Sequence, residues 1–358
     1  MNDVLVLGAG KIGRMVCSLL QGCGDYRVTV MDSHGPSLDD TLTLAPGARS
    51  VTGRFDDATA IDAALRDQWA VVSCAPFFCN PMIAERARAA GVHYFDLTED
   101  VAVTRAVAEL ARGASTVLMP QCGLAPGFIT VAAAHVIEGM SNLREVRMRV
   151  GALPEYPSNA LKYNLTWSTD GLINEYIQPC EAVVDGTVTT VPALEGLEHM
   201  SIDGIEFEAF NTSGGLGTFA ATLAGRVKHL SYKTMRYPGH NAILKLLLWD
   251  LGFREHRDEL KAIFERALPA TRQDIVAIFV SATGDIDGRS TERTYARIVR
   301  HQNIGGHHWT AIQVTTACGV TAMVDLLREG RLPQAGFVRN EDASFPDFIG
   351  NRFGQRFA

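Results

Sequence analysis

Short apolar runs alternate with helix-spaced segments through the first third of the chain. The runs Asp3–Leu7, Arg27–Met31, Arg49–Thr52, Ala70–Cys74, Tyr94–Leu97 and Thr116–Met119 read as strands. Between them, Lys11–Gln21, Ala58–Leu65, Pro81–Ala90 and Val101–Arg112 carry helical spacing, with Gly91 as a stop signal. Six strands joined by crossover helices predict a doubly wound parallel sheet, an α/β fold. After Pro126-Gly127 the pattern changes to longer alternating strands such as Glu145–Gly151, with Val146, Met148 and Val150 on one face. Asp185-Gly186 and Asp203-Gly204 sit between β-rich runs as hairpin signals, so a second α/β domain on a mixed or antiparallel sheet is expected. Helical spacing returns at Gly239–Leu251 and His256–Leu268. Strands follow at Asp274–Thr283 and Arg293–Val299, around a turn at Asp285–Gly288. Trp309–Leu327 is apolar on most sides and should be buried, packing back on the first domain. The tail Val338–Ala358, polar and aromatic by turns, gives no legible pattern.

Composition narrows the classes. Hydrophobic residues make up 47% and charged residues 20% of 358 positions, typical of a folded globular chain. The net charge is −7 and no Lys/Arg cluster stands out, which argues against nucleic acid as a partner. Ala70–Cys79 and Ile129–Ile137 are the longest apolar stretches and fall short of the roughly 20 residues needed to span a bilayer. The acidic start, without a basic leader, fits a cytoplasmic protein. Seven scattered cysteines with no C-x-x-C suggest reduced thiols, and the histidines show no metal-ligand spacing.

The first chemistry lies in Gly8-Ala9-Gly10-Lys11-Ile12-Gly13, between a strand and a helix. Gly8 allows the tight turn, Gly10 lets the backbone approach a pyrophosphate, and Gly13 lets helix and strand pack closely; the amides of Lys11 and Ile12 open the helix. Asp32, at the end of the next strand, can accept the ribose hydroxyls of NAD and would repel the 2′-phosphate of NADP. NAD is therefore the expected cofactor. Asp56 either approaches the adenine edge or caps a helix. Ligands bind beyond the carboxyl ends of such strands, which places Cys74, Ala75, Pro76, Asp96 and Gly123 around the nicotinamide end.

Five motifs in order extend this picture: Gly8–Gly13, Gly123-Leu-Ala-Pro-Gly127, Tyr163-Asn-Leu-Thr-Trp167-Ser168, Asn211-Thr-Ser-Gly-Gly215 and Tyr232-Lys-Thr-Met-Arg-Tyr-Pro-Gly-His240. Together they resemble the saccharopine dehydrogenase family, and within it are most similar to the L-lysine 6-dehydrogenases. The resemblance implies a Rossmann domain from residues 1–127 and 309–340, a substrate-binding domain at 128–308, and a homodimer. It also implies NAD-dependent oxidation of the lysine ε-amine to the 6-semialdehyde, which cyclises to piperideine-6-carboxylate.

Such a substrate needs a cation for its carboxylate, and Arg236 offers a planar fork. By resemblance, Arg236, Trp167 and Ser168 contact substrate, with Tyr163 in the same motif; Trp167 either walls the pocket or belongs to the core. The lysine amine titrates near 10.4 and arrives charged, so a base must take a proton. Glu99, Asp100 and His240 are the candidates, although Thr98-Glu99-Asp100 would also cap the helix beginning at Val101. Saccharopine oxidation is the nearest rival. It would need further cations, for which Lys162, Lys233 and Arg149 are available. A polyamine-forming member of the family or a non-catalytic NAD-binding protein are the remaining alternatives.

Overall fold

The computed structural model describes residues 1–358, which divide into two compact units. One comprises Met1–Val131, Asn303–Trp309 and Gln313–Ala358; the other comprises Ala132–Gln302 and Thr310–Ile312.

The first unit alternates strand and helix: β1 (Asn2–Leu7), α1 (Lys11–Gly22), β2 (Tyr26–Asp32), α2 (Gly35–Leu44), β3 (Arg49–Thr52), α3 (Ala58–Ala64), β4 (Ala70–Ser73), α4 (Asn80–Ala90), β5 (His93–Asp96), α5 (Val101–Leu110) and β6 (Val117–Met119). These strands lie parallel in the order β6-β5-β4-β1-β2-β3. Because β1 pairs with both β2 and β4, the strand order reverses there, and the loops after β1 and β4 flank the switch point where such sheets bind ligands. Val4–Leu7 and Ala70–Val72 are fully buried, as expected of central strands covered on both faces.

The second unit follows α6 (Phe128–Val136), through which the chain leaves the first. It contains β7 (Ser141–Pro154), α7 (Thr169–Ile177), β8 (Cys180–Val184), β9 (Thr187–Val191), β10 (Glu198–Ile202), β11 (Ile205–Asn211), α8 (Phe219–Leu223), β12 (Val227–Arg236), α9 (His240–Lys245), α10 (Arg257–Ala267), β13 (Asp274–Ile286) and β14 (Arg289–Arg300). Its sheet runs β10-β11-β12-β7-β13-β14, with the β8–β9 hairpin attached to β12. Pairing is antiparallel except between β12 and β7, so the sheet is mixed. Three Asp-Gly turns close its hairpins, with both residues at positive φ: Asp185 (49°) and Gly186 (81°), Asp203 (50°) and Gly204 (76°), Asp287 (50°) and Gly288 (74°). The last turn is tighter than expected, because the ladder continues to Ile286↔Arg289.

The chain ends in the first unit. A small ladder of β15 (Gln302–Ile304) and β16 (His307–Trp309) precedes α11 (Ala311–Arg328), whose Val314, Ala317, Val320, Ala322 and Val324 have no exposure. Then β17 (Gly336–Phe337) adds a seventh parallel strand beside β6, and α12 (Phe345–Gly350) follows. Phe345, Phe348 and Phe357 gather around Phe128, Phe357 stacking at 4.0 Å between ring centroids. No helix is long and apolar enough to cross a membrane.

Candidate functional site

The turn after β1 has the shape that a dinucleotide requires. Gly8 sits at φ +105°, and a Cβ there would lie 2.9 Å from the Cys74 carbonyl oxygen. A Cβ on Gly13 would fall 1.8 Å from the Gly8 carbonyl oxygen, so α1 can approach β1 only with glycine at that position. At Gly10 the same test meets no atom within 4 Å. This backbone faces open space, and no side chain caps α1 at Gly10, which leaves the amides of Lys11 and Ile12 to serve an anion. Asp32 ends β2 half-buried, its two oxygens accepting from Ala9 N (2.8 Å) and His34 N (2.9 Å). The carboxylate is thereby fixed against the glycine turn, and each oxygen keeps a lone pair for a ribose hydroxyl. The residues present fit a nicotinamide dinucleotide.

Asp96 ties the neighbouring loops together. It is fully buried and accepts from Tyr94 Oη (2.7 Å), Thr98 N (2.9 Å) and Gln121 N (2.9 Å), joining the segments after β5 and β6. Burial raises its pKa while those three donors oppose the shift. With three partners inside the protein, Asp96 shapes the loops. Gly123 follows, its carbonyl only 2.6 Å from where a Cβ on Gly319 of α11 would stand. Cys74, Ala75 and Pro76 continue from β4; burial pushes the Cys74 thiol up to about 12, so it is no thiolate at neutral pH. Asp56 is exposed and paired with Arg54 (2.6 Å), while its neighbour Asp57 caps α3. Asp100 caps α5 by accepting from Val103 N (2.8 Å), and Glu99 is half-buried in the same loop.

In the second unit, β12 delivers Arg236 to a closed aromatic nest. The guanidinium lies 5.1 Å above the Tyr163 ring and 5.8 Å from that of Tyr176. Nε donates to Tyr176 Oη (3.0 Å), and Nη1 donates to Thr234 Oγ1 (3.0 Å) and the Met235 carbonyl (2.9 Å). The fork is therefore largely occupied, which narrows the expectation of a two-pronged clamp to Nη2. That nitrogen is 3.9 Å from Oε2 of Glu175, on α7.

His240 completes this network at the start of α9, which Glu208 anchors by accepting from Gly239 N (2.9 Å) and Asn241 N (2.5 Å). Its Nδ1 must donate to the Leu161 carbonyl (2.9 Å), because a carbonyl can only accept. Nε2 then accepts from Tyr176 Oη (3.1 Å). Burial, aided by the Arg236 charge, pushes the imidazole pKa down to about 3, in keeping with a neutral ring. Both nitrogens are engaged, so the position read from the sequence as a candidate base is here the end of a chain running Arg236 to Tyr176 to His240.

The rest of this motif divides. Tyr163 is fully buried beneath Arg236, and Trp167, half-buried, packs against the core cluster that holds Tyr163, Leu172 and Phe210. The Ser168 hydroxyl caps α7 by accepting from Gly171 N (3.2 Å). The three spare cations are engaged elsewhere. Arg149 and Lys233 share Glu198, with Arg149 Nη1 also on the Met148 and Ser231 carbonyls, and Lys162 donates to the Pro238 carbonyl (3.0 Å). Glu175 and Tyr176 are the site residues that the sequence reading missed. The available signal was their phase: both fall on the stripe of α7 that carries buried Leu172, Ile173 and Tyr176.

Comparison with known proteins bears on the family. Residues 123–355 match the saccharopine dehydrogenase C-terminal domain, and residues 4–118 match the saccharopine dehydrogenase NADP binding domain. The chain belongs to the saccharopine dehydrogenase family. It is 24% identical over 306 residues to the NADP(+), L-glutamate-forming saccharopine dehydrogenase of Pyricularia oryzae, covering 78% of this chain and 66% of that one. It is 23% identical over 351 residues to the mitochondrial alpha-aminoadipic semialdehyde synthase of Mus musculus, covering 93% of this chain but 36% of the relative. Among solved structures, apo saccharopine dehydrogenase (L-Glu forming) from Saccharomyces cerevisiae superposes with a TM-score of 0.81 at 17% identity, over 100% of this chain and 96% of that one. The shared fold is thus a parallel nucleotide-binding sheet with a second mixed-sheet domain.

Proposed function

We propose that this saccharopine dehydrogenase family member oxidises the ε-amine of L-lysine with NAD, giving the 6-semialdehyde and its cyclic piperideine-6-carboxylate. The observation that carries the choice of substrate is the charge inventory around Arg236. Saccharopine has a glutarate on the reacting nitrogen and needs further cations, yet Arg149, Lys233 and Lys162 are all engaged. Arg236 Nη2 remains, beside a buried carboxylate that suits a substrate rich in amines. NAD is supported by Asp32, whose charge at the ribose end disfavours a 2′-phosphate.

The roles follow from these placements. Gly8, Gly10 and Gly13 with the α1 amides hold the pyrophosphate and Asp32 holds the ribose; when bound, the nicotinamide accepts the hydride removed from the amine carbon. Cys74, Ala75, Pro76 and Gly123 line the cofactor end with backbone, and Asp96 holds their loops. Glu99 takes the ammonium proton, so that a nitrogen lone pair can form the C=N bond as the hydride leaves. Water then adds to the imine and ammonia departs. Arg236 meets the α-carboxylate through Nη2, Tyr163 and Trp167 wall the methylenes, and His240 orients Tyr176.

A second reading, saccharopine oxidation with NADP, is favoured by the names of the relatives. Product analysis separates the two. The lysine reading expects NADH and an adduct of 2-aminobenzaldehyde with the cyclic imine, whereas a protein that forms no such adduct from lysine but releases glutamate from saccharopine has the second activity.

A further inference from the structure

Oε2 of Glu175 is buried and has no hydrogen-bond partner. A bare carboxylate oxygen in a protein interior is costly, and native structures seldom leave one so unless a ligand completes it. The oxygen lies 3.9 Å from Arg236 Nη2, the nitrogen that the internal network leaves over. Arg236 is fixed by Tyr176, Thr234 and Met235, while Glu175 sits in the last turn of α7 with its own carbonyl accepting from Ser213 N (3.1 Å).

We infer that Glu175 and Arg236 form a two-point site for the zwitterionic end of an amino acid, Glu175 Oε2 accepting from the α-ammonium and Arg236 Nη2 donating to the α-carboxylate. An α-amino acid carries its ammonium and carboxylate on one carbon, so a cation and an anion held side by side match both at once. Diamines lack the carboxylate, and ω-amino acids without an α-amine would leave Glu175 unpaired. Glu175 thereby becomes a specificity-determining residue for α-amino acids. It also explains a buried carboxylate beside an arginine that its other partners already hold in place. The inference rests on the amino-acid reading above, but not on which bond is oxidised.

The test is a binding measurement that does not require turnover. Calorimetric titration in the presence of NADH compares L-lysine with 6-aminohexanoate, which is lysine without its α-amine. A charge-assisted hydrogen bond to a buried carboxylate predicts that the wild-type protein binds lysine at least about tenfold more tightly. In Glu175→Gln the ratio falls to within about twofold while NADH affinity stays unchanged; Glu175→Asp restores part of it. Equal binding of the two ligands by the wild type, which needs no variant to fold, overturns the inference, as does a ratio preserved in Glu175→Gln. Discrimination without lysine oxidation would sink the proposed reaction and leave this site standing. Oxidation without discrimination would do the reverse.

Discussion

Single atoms decide much of what this chain can do. Gly10 and Gly13 lie three positions apart in one turn, yet their predicted variants differ. In Gly13→Ala the new methyl collides with the Gly8 carbonyl, so both thermal stability and NADH affinity should fall. In Gly10→Ala it meets nothing, so the melting temperature should hold while NADH binding, followed by fluorescence, weakens at least about tenfold. A Gly10→Ala protein that binds NADH normally would show that the open space above this turn is not the pyrophosphate site. At the other end, His240 is pushed down to about 3 and does not titrate between pH 5 and 8. His240→Asn should therefore lower kcat/KM for lysine without moving the acidic limb of the pH profile; a lost limb would return the histidine to the role of base. Glu175 titrates instead. Burial lifts it to about 7 against the pull of Arg236. Of its other neighbours, Cys180 is pushed up to about 12 and Tyr163 and Tyr176 are raised by burial, so none of them changes charge in that range. A raised carboxylate pKa means that protons compete as pH falls through neutrality, so lysine affinity should drop from pH 8 to pH 6. In Glu175→Gln this dependence should flatten.

Among the elements, the closing tail shows what periodicity cannot convey. Its phenylalanines at 345, 348 and 357 have no regular spacing, because their common partner is Phe128, more than two hundred positions earlier. Buried Asp325 of α11 adds a polar anchor, gathering Tyr26, Arg328, Asn351 and Arg352. Asp325→Asn would strand these donors at a cost of about 3 kcal/mol, seen as a melting temperature lower by roughly 5–10 °C. The exposed pair of Asp56 and Arg54 offers a contrast, and Asp56→Asn should leave the transition where it is. An equal response from both would mean that the tail is not held through Asp325. Sequence legibility follows the same division between local and distant causes. The strands β1, β2 and β4 and the three Asp-Gly turns were readable because β-branched runs and positive-φ pairs are local signals. The helix α2 was missed because only Leu38 and Thr41 are buried on it, too few to draw a stripe. The parallel pairing of β12 with β7 joins distant segments that no turn signal connects. Glu175 escaped notice because its partner Arg236 is sixty-one positions away.

For the whole molecule, the parallel unit supplies a glycine turn with the Asp32 carboxylate fixed against it, and the mixed-sheet unit supplies one arginine with a buried carboxylate. Relatives of this chain bear the names of saccharopine- and NADP-linked activities, whereas lysine and NAD are what is proposed for it. The chain spans 66% of the first of those relatives and 36% of the mouse synthase. Initial rates at 340 nm, with L-lysine and L-saccharopine each paired with NAD and with NADP, bring the two accounts into direct conflict. Lysine with NAD should have the highest kcat/KM of the four combinations. If saccharopine with NADP is turned over fastest and lysine yields no reduced cofactor, the account is contradicted.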